Sequence, residues 1–359
     1  MKLKRLNRYA SLVIAILLIA GMASTALAQD ATPVTARDGA APAVEHDDSP
    51  TSVAVVPGGP HPYFAPMEGA IADAQAAFGL GDVTFKAPTE WNLDAQNELI
   101  STLQAQGYNA FAIFPGDANG TNSTIEELMD ENIPSVLVGG CTSQPSQAQF
   151  CIATDVANSA YLGTKALIES MGGEGTIVHL FTGFLVDPNT QPRMAAVEQA
   201  VAETDGKVTL LQHLADIDSQ EEADNKINAL LAASADEIDG IVATAYVPST
   251  VAASSWKNIG DKRIKMVGID DDPIVLDAIR EGYLVGTMAQ NPYGQAYIAG
   301  YALDLLRHSC QMKADAPFLI DSGTFLIDSE TVDTYSENLK EITNGIQSTF
   351  AEDYMDCDA

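Results

Sequence analysis

Short, almost continuous apolar runs alternate with helical segments along most of this chain, and this alternation most constrains the fold. The segments 52–57 (SVAVVP), 109–115 (NAFAIFP) and 264–270 (IKMVGID) are apolar runs of strand length. Between such runs the apolar residues recur at helical spacing, as in residues 92–106. Strands without polar alternation indicate parallel sheets covered by helices on both faces. About ten such strands are too many for one sheet of this length, so the sequence predicts an α/β fold with two doubly wound parallel-sheet lobes.

The N-terminus has the layout of a cleavable signal peptide over residues 1–28. Basic residues precede an apolar run from Leu12 to Ala20, which is short for a membrane span, and an Ala-Leu-Ala tripeptide follows at 26–28. An uncleaved N-terminal anchor is the alternative. Residues 29–51 are rich in Ala, Pro, Thr and Asp without apolar periodicity, which predicts a disordered linker. Export predicts a periplasmic or extracellular location.

The four cysteines are expected to form disulfides, because an exported protein folds in an oxidising compartment. Cys141 and Cys151 flank a turn-rich loop that can bring them together, and we pair Cys310 with Cys357. Four cysteines allow three pairings, and free buried thiols are the alternative. No cysteine or histidine spacing is typical of a zinc site, so we expect no metal and no cofactor.

The net charge is strongly negative, and it excludes one class of partner. The chain carries −31, and removing the four basic residues of the predicted signal peptide leaves 14 basic against 49 acidic residues, or −35. A surface this acidic repels the phosphate backbone of nucleic acids. We therefore expect no nucleic-acid partner.

Polar clusters follow several of the predicted strands. They are 57–64 (PGGPHPYF), 115–120 (PGDANG), 269–273 (IDDDP) and 289–294 (AQNPYG). Open parallel sheets bind ligands outside the carboxyl ends of their strands, where helix N-termini also point. The repetition predicts a binding crevice, whereas each cluster taken alone is equally consistent with an ordinary polar loop.

The order of these segments resembles the periplasmic sugar-binding proteins of ABC importers, the type I group typified by ribose-binding protein. The resemblance extends over residues 52–327. Four stretches carry it: VAVVPGGPHPYFAPMEGA (53–70), QFCIATDVANSAYLGTKALIE (149–169), PRMAAVEQAV (192–201) and IKMVGIDDDPIVLDAIREGYLVGTMAQNPYGQAYIAGYAL (264–303). The resemblance implies two lobes joined by a three-segment hinge, with the ligand bound between them.

The resemblance also implies the polar part of a ligand site. Asp270 would accept hydrogen bonds from two sugar hydroxyls, Gln290 would bridge a hydroxyl at the hinge, and Arg193 would donate from a helix start. These groups suit a sugar, because charged partners make the stronger hydrogen bonds to a ring of hydroxyls. Each has a structural alternative: a helix cap for Asp270, a surface helical arginine for Arg193 and a hinge hydrogen bond for Gln290.

Aromatic residues complete the implied site. Tyr63 and Phe64 would stack on the apolar face of the sugar ring, His61 holds a polar position in the same loop, and Tyr246 stands in a further strand-end loop. The alternative for Tyr63 and Phe64 is a place in the core at a helix start.

The chain departs from the family pattern at three positions. Gly139-Gly140 replaces the usual Asp-Arg pair, Ala245 replaces an asparagine, and Ile217 replaces an aromatic. These departures imply fewer polar contacts and a roomier pocket. The ligand is therefore not transferred as ribose, and a different or larger sugar, a deoxysugar, a polyol or a non-sugar solute all remain open.

The resemblance implies crossovers near 154–155, 290–291 and 318. Lobe one would comprise 52–154 plus 291–318, and lobe two 155–290 plus 319–330. The remaining residues, 331–359, have the pattern of a C-terminal helical tail. A bond between Cys310 and Cys357 would tie this tail to lobe one and leave the hinge free.

The expected function is that of an extracytoplasmic receptor, not an enzyme. It would capture a small carbohydrate-like solute, such as a sugar or polyol, act as a monomer and deliver the solute to the membrane permease of an ABC importer. The main alternative is a sensory receptor that presents a sugar or an autoinducer-like ligand to a chemoreceptor or kinase. A secreted glycosidase is less favoured, because the adjacent aspartates diverge at a strand end and no nucleophile or base constellation accompanies them.

Overall fold

The computed structural model describes residues 36–182, 187–260 and 262–357. The predicted signal peptide, 1–28, lies outside this part of the chain. None of the helices in the described part combines the length and the apolar composition that crossing a bilayer requires.

Within the described residues, two six-stranded sheets form the cores of two lobes. The first sheet has the order β12-β5-β4-β3-β1-β2 and is parallel throughout. Its strands are β1 (Val53–Val56), β2 (Val83–Phe85), β3 (Ala110–Ile113), β4 (Ser135–Val138), β5 (Cys151–Ala153) and β12 (Leu319–Asp321). Every residue of β1, β3, β4 and β5 is buried, which explains their lack of polar alternation.

The second sheet has the order β13-β10-β9-β8-β6-β7. Its strands are β6 (Gly175–Leu180), β7 (Val208–Leu214), β8 (Gly240–Ala243), β9 (Lys265–Ile269), β10 (Gly286–Met288) and β13 (Leu326–Asp328). All neighbours are parallel except β13, which runs antiparallel to β10. The prediction of two α/β lobes with parallel-sheet cores is therefore confirmed.

Helices cover both faces of each sheet. They are α1 (Ala65–Phe78), α2 (Leu93–Ala105), α3 (Thr121–Asp130), α4 (Val156–Ser170), α5 (Thr190–Ala202), α6 (Gln220–Ser234), α7 (Tyr246–Ile259), α8 (Pro273–Arg280), α9 (Pro292–His308) and α10 (Tyr335–Tyr354). Side-chain caps begin several of them: Asn92, Asp155, Ser219, Asp272 and Asn291 each accept a hydrogen bond from a backbone N–H in the first turn. These helix starts follow strand ends and fix the loops that carry the site.

The third crossover differs from its predicted position. The sequence places 319–330 in lobe two, but Leu319–Asp321 pairs in parallel with Cys151–Ala153 in the first sheet. The chain changes lobe only between Asp321 and Leu326, where β13 joins the second sheet. The short strand carries too little apolar pattern to identify its sheet, so only the pairing locates it.

Residues 36–51 pack against lobe one, so the prediction of a disordered linker over 29–51 is wrong for this part. The Arg37 guanidinium donates to the carbonyls of Ser146, Ala148 and Gln149 at 2.8–3.1 Å. Val44 is 3% exposed. The segment forms neither a helix nor a strand and is held by such anchoring contacts. Its sequence therefore has no apolar periodicity, and its composition alone predicts disorder.

The C-terminal helix α10 contacts both lobes. Tyr335 and Leu339, near its start, pack against the core of lobe two, whereas Phe350 is buried in the core of lobe one. Between them, Thr343 accepts a hydrogen bond from the Asn291 side chain at the second crossover, at 3.0 Å. The expectation that the tail leaves the hinge free is therefore wrong, because the tail spans it.

Both disulfides join the cysteines that the sequence pairs, Cys141 with Cys151 and Cys310 with Cys357. The second bond lies within a two-stranded antiparallel sheet of β11 (Cys310–Met312) and β14 (Met355–Cys357). The bond and the sheet together fasten the end of α10 to lobe one.

Candidate ligand-binding site

One cavity between the lobes is lined by all seven residues that the sequence predicts for the site. These are His61, Tyr63, Phe64, Arg193, Tyr246, Asp270 and Gln290. The cavity lies at the carboxyl ends of the strands, as the fold class requires. It offers about 70 Å³ to the centre of a water molecule, whereas one enclosed water needs roughly 10–15 Å³ by this measure. The space therefore suits a small solute.

Asp270 and Gln290 form the hinge side of the cavity. Asp270 follows β9 with φ of 70°, a left-handed conformation, and its Oδ1 accepts a hydrogen bond from Gln290 Nε2 at 2.8 Å. Its Oδ2 and the remaining lone pairs stay available to a ligand. Burial raises the pKa of Asp270 to about 7 against the opposing effects of the Gln290 hydrogen bond and Arg193. A ligand group that donates a hydrogen bond to this carboxyl group replaces the hydration lost on burial, so such a contact is favourable.

Arg193 presents unused donors to the cavity. It lies in the first turn of α5 and is only 8% exposed. Its Nε is buried without a hydrogen-bond partner, and no ion pair of its side chain is found within the described ranges. Because a buried guanidinium without partners is costly, the arrangement favours a ligand that supplies acceptors.

An aromatic wall forms the lobe-one side of the cavity. Phe64 lies at the end of a short 3₁₀ turn, Pro62–Phe64, and packs against Tyr63, Trp91 and Phe114 with ring centroids 5.0–6.3 Å apart. The Tyr63 hydroxyl donates to Gln295 Oε1 at 2.9 Å, so its polar end is already satisfied. The wall therefore offers mainly apolar ring surface, which matches the CH face of a sugar or polyol.

His61 and Tyr246 approach each other from opposite lobes, with ring centroids 5.6 Å apart. His61 Nδ1 accepts the backbone N–H of Tyr63 at 3.2 Å, which leaves Nε2 as the donor of the neutral ring. Burial, with a contribution from Arg193, lowers the pKa of His61 to about 4, so the ring is neutral at pH 7. The Tyr246 hydroxyl donates to Asp272 at 2.7 Å, so Tyr246 turns its ring to the cavity.

Several lining residues are not among those that the sequence predicts. They are Trp91, Phe114, Thr182, Asp187, Asn189 and Asp218. Each follows a strand of one of the two sheets, which is where open parallel sheets bind ligands. They went unnoticed because none belongs to a polar cluster or to a stretch that carries the family resemblance.

The expected extra room at Gly139-Gly140 is absent, because neighbouring side chains fill it. A Cβ on Gly139 would lie 2.9 Å from the Phe114 ring, and one on Gly140 would lie 3.0 Å from Pro188 of lobe two. The Asn189 side chain also donates to the Gly139 carbonyl at 3.1 Å. The two glycines thus let the lobes approach closely.

Gly139→Ala is expected to destabilise the protein by at least about 1 kcal/mol more than Gly172→Ala. Both glycines have left-handed φ, 73° and 83°, so both variants carry the same backbone strain. Only Gly139 faces a close neighbour, since nothing lies within 4 Å of a Cβ on Gly172. Thermal melts of the two variants test this, and equal losses would contradict the close approach of Phe114.

Comparison with known proteins gives a family match over most of the chain. A family model described as a periplasmic binding protein domain matches residues 53–307. The xylitol-binding protein of Mycolicibacterium smegmatis is 24% identical over 239 residues, 65% of this chain and 68% of that protein. The D-apiose import binding protein of Actinobacillus succinogenes is also 24% identical over 239 residues, 66% of this chain and 75% of that protein.

Solved structures share the fold. An ABC transporter solute-binding protein from Burkholderia graminis in complex with D-arabinose aligns with a TM-score of 0.73 at 18% identity, covering 81% of this chain and 99% of that one. A solute-binding protein from Actinobacillus succinogenes with bound D-allose aligns with a TM-score of 0.71 at 19% identity, covering 79% and 100%. Since the family model spans both lobes, the chain belongs to the periplasmic binding proteins, a family of solute-binding proteins rather than enzymes.

Proposed function

We propose that this protein captures a small sugar or polyol between its lobes outside the cytoplasm and delivers it to the permease of an ABC importer. The observation that carries the proposal is the convergence of all seven predicted side chains, drawn from both lobes, on one small cavity.

The cavity chemistry suits a polyhydroxylated ligand. Asp270 accepts hydrogen bonds from hydroxyl groups, while Arg193 and His61 donate to hydroxyl oxygens. Phe64 and its aromatic neighbours cover the CH face. Gln290 holds the Asp270 carboxylate in position through its 2.8 Å hydrogen bond. A hydroxyl of the wrong configuration leaves one of these buried groups unpaired, which provides the selectivity.

The cavity size and the named ligands of the similar proteins favour a molecule the size of a pentose, a pentitol or a hexose. The space of about 70 Å³ is too small for an oligosaccharide. The similar proteins are named for xylitol and D-apiose. We therefore place pentitols and pentoses first among the candidates.

Ligand binding drives lobe closure in this proposal. Asn189 contacts Gly139 across the cleft, and His61 faces Tyr246, so the closed arrangement is already favoured by contacts between the lobes. A ligand that touches Asp270 and Arg193 in lobe two and the aromatic wall in lobe one binds the closed form more tightly. Closure is then a population shift driven by that difference in affinity.

Delivery requires export. We assign export to a signal peptide over residues 1–28, which is then cleaved. The family implies an extracytoplasmic location, and the basic, apolar and small-residue layout of the N-terminus supports a signal peptide. N-terminal sequencing of the exported protein should begin at Gln29. The closed form would then dock on the permease as a monomer.

Calorimetry of the chain from Gln29 tests the proposed function. We expect at least one of xylitol, D-arabinitol, D-apiose, D-arabinose and D-allose to bind with one site per chain, and maltotriose not to bind. Ligand at 100 times Kd should stabilise the protein by about 2.7 kcal/mol, which a thermal melt detects. Absence of binding across this panel, or equal binding of maltotriose, would contradict the proposal. Loss of uptake of the bound solute in a deletion strain would separate import from sensing.

A further inference from the structure

The cavity carries an imbalance of charge. Among the described residues, the acidic side chains of Asp187, Asp218 and Asp270 line it, against one guanidinium, that of Arg193. Burial raises the pKa of all three acidic side chains, so beside a neutral ligand each is either partly protonated or ionised at a cost.

Arg193 balances only part of the acidic surplus. Its charge opposes the effect of burial on the pKa of Asp187 and of Asp270. The carboxyl group of Asp218 has no such cation: burial, Asp187 and Glu222 together raise its pKa to about 6. The nearby Lys226 is engaged elsewhere, with Asp216 at 3.6 Å and the Ala215 carbonyl at 3.1 Å.

Asp218 also lacks a structural role that would account for it. It precedes α6, but the N-cap of that helix is Ser219, whose side chain accepts the backbone N–H of Glu222. No hydrogen bond or ion pair of the Asp218 carboxylate is found in the part of the chain that the structure describes. Because Asp218 lines the cavity, a bound ligand is the group that can pair with its carboxylate.

Arg193 is a second and independent sign that this cavity is built for a ligand. Its side chain is more than nine-tenths buried, lines the same cavity and has an Nε without a partner. Within the described residues no group of three or more potential ligating side chains is arranged for a metal ion.

We propose that Asp187 and Asp218 form a subsite for an ammonium group, so that the ligand is a hydroxylated primary amine such as an amino polyol or amino sugar. The proposal rests on the proposed function and specifies its ligand class. The ammonium group lies between the two carboxylates, while the hydroxyl groups bind Asp270 and Arg193. An ammonium group adds Coulombic attraction to the two carboxylates and donates three hydrogen bonds where a hydroxyl group donates one, so the amine gains over the corresponding alcohol.

Matched ligand pairs test the subsite. Calorimetry at pH 7 compares xylitol with 1-amino-1-deoxyxylitol, D-arabinitol with 1-amino-1-deoxyarabinitol, and D-glucose with D-glucosamine. In at least one pair we expect the amine to bind about tenfold or more tightly than its neutral counterpart, the effect of one charge-assisted contact. Asp218→Asn, which keeps the shape and removes the charge, should bring that ratio close to one.

Asp216→Asn is the matched control. Asp216 lies two residues earlier in the same loop with a side chain that is 75% exposed, so its replacement should leave the ratio unchanged. A thermal melt establishes that both variants fold. Tighter or equal binding of the neutral member in every pair would overturn the amine subsite and leave the proposed function standing. Binding of neither member in any pair would overturn the amine subsite, and it would overturn the proposed function as well if D-apiose, D-arabinose and D-allose also failed to bind.

Discussion

Asp270→Ala is expected to weaken solute binding by about 100-fold or more. Asp270 is 6% exposed and its carboxylate has one oxygen held by Gln290 and the other open to the cavity. Losing two hydrogen bonds to a charged group, at about 1.5 kcal/mol each, removes about 3 kcal/mol of binding free energy. Calorimetry with the best ligand of the panel measures the change.

Asp271→Ala provides the control for this variant. Asp271 is the next residue, is exposed and bonds the Tyr335 hydroxyl at 3.0 Å outside the cavity. Its replacement should change the affinity by less than about threefold, since an exposed contact contributes little. Equal losses in the two variants, or an unchanged affinity in Asp270→Ala, would contradict the proposed site.

The pH dependence of stability gives an independent readout of Asp270. Its pKa is about 7 in the folded protein and about 3.9 in an unfolded chain, so the folded state holds the proton more tightly. This contribution to the free energy of unfolding is fully present below about pH 4 and is lost as the pH rises to about 7. Asp270→Asn keeps a side chain that tolerates left-handed φ and cannot ionise. Its unliganded stability should therefore fall less over this interval than that of the unmodified protein.

Phe350→Ala is expected to lower the free energy of unfolding by about 3–5 kcal/mol, the usual cost of emptying a buried aromatic site. The side chain is fully buried and packs against Phe150 and Tyr354 with ring centroids 5.2 and 5.1 Å away. It anchors the end of α10 in lobe one. The midpoint of denaturant unfolding measures the loss.

Thr349→Ala is the matched control on the same helix, because residue 349 is exposed. Its effect should stay within about 0.5 kcal/mol. A small loss in Phe350→Ala would mean that the tail merely lies on the surface. A large loss would show that α10, the helix that spans the hinge, is part of the folded core. In that case we also expect the two lobes of the variant to open over a wider range.

The site shows how far local sequence rules reach. The family resemblance identified Asp270 and Gln290, and both lie just after apolar strands, whose carboxyl ends meet at one edge of a parallel sheet. Arg193 was found because it begins a helix that resembles the family. Asp187 and Asp218 obey the same strand-end rule, but only the approach of their loops to one cavity distinguishes them from ordinary loop carboxylates.

The sequence by itself determined the two-lobed α/β fold, because continuous apolar strands and helical periodicity are properties of neighbouring residues. It allowed three disulfide pairings, of which the structure forms the predicted one, and the family resemblance supplied seven of the fifteen described residues that line the cavity. The tertiary structure alone decided that residues 36–51 pack on lobe one, that α10 spans both lobes, and that Phe114 and Pro188 fill the space at Gly139-Gly140. Each of these depends on contacts between segments tens to hundreds of residues apart, and such contacts leave no periodic pattern in the chain.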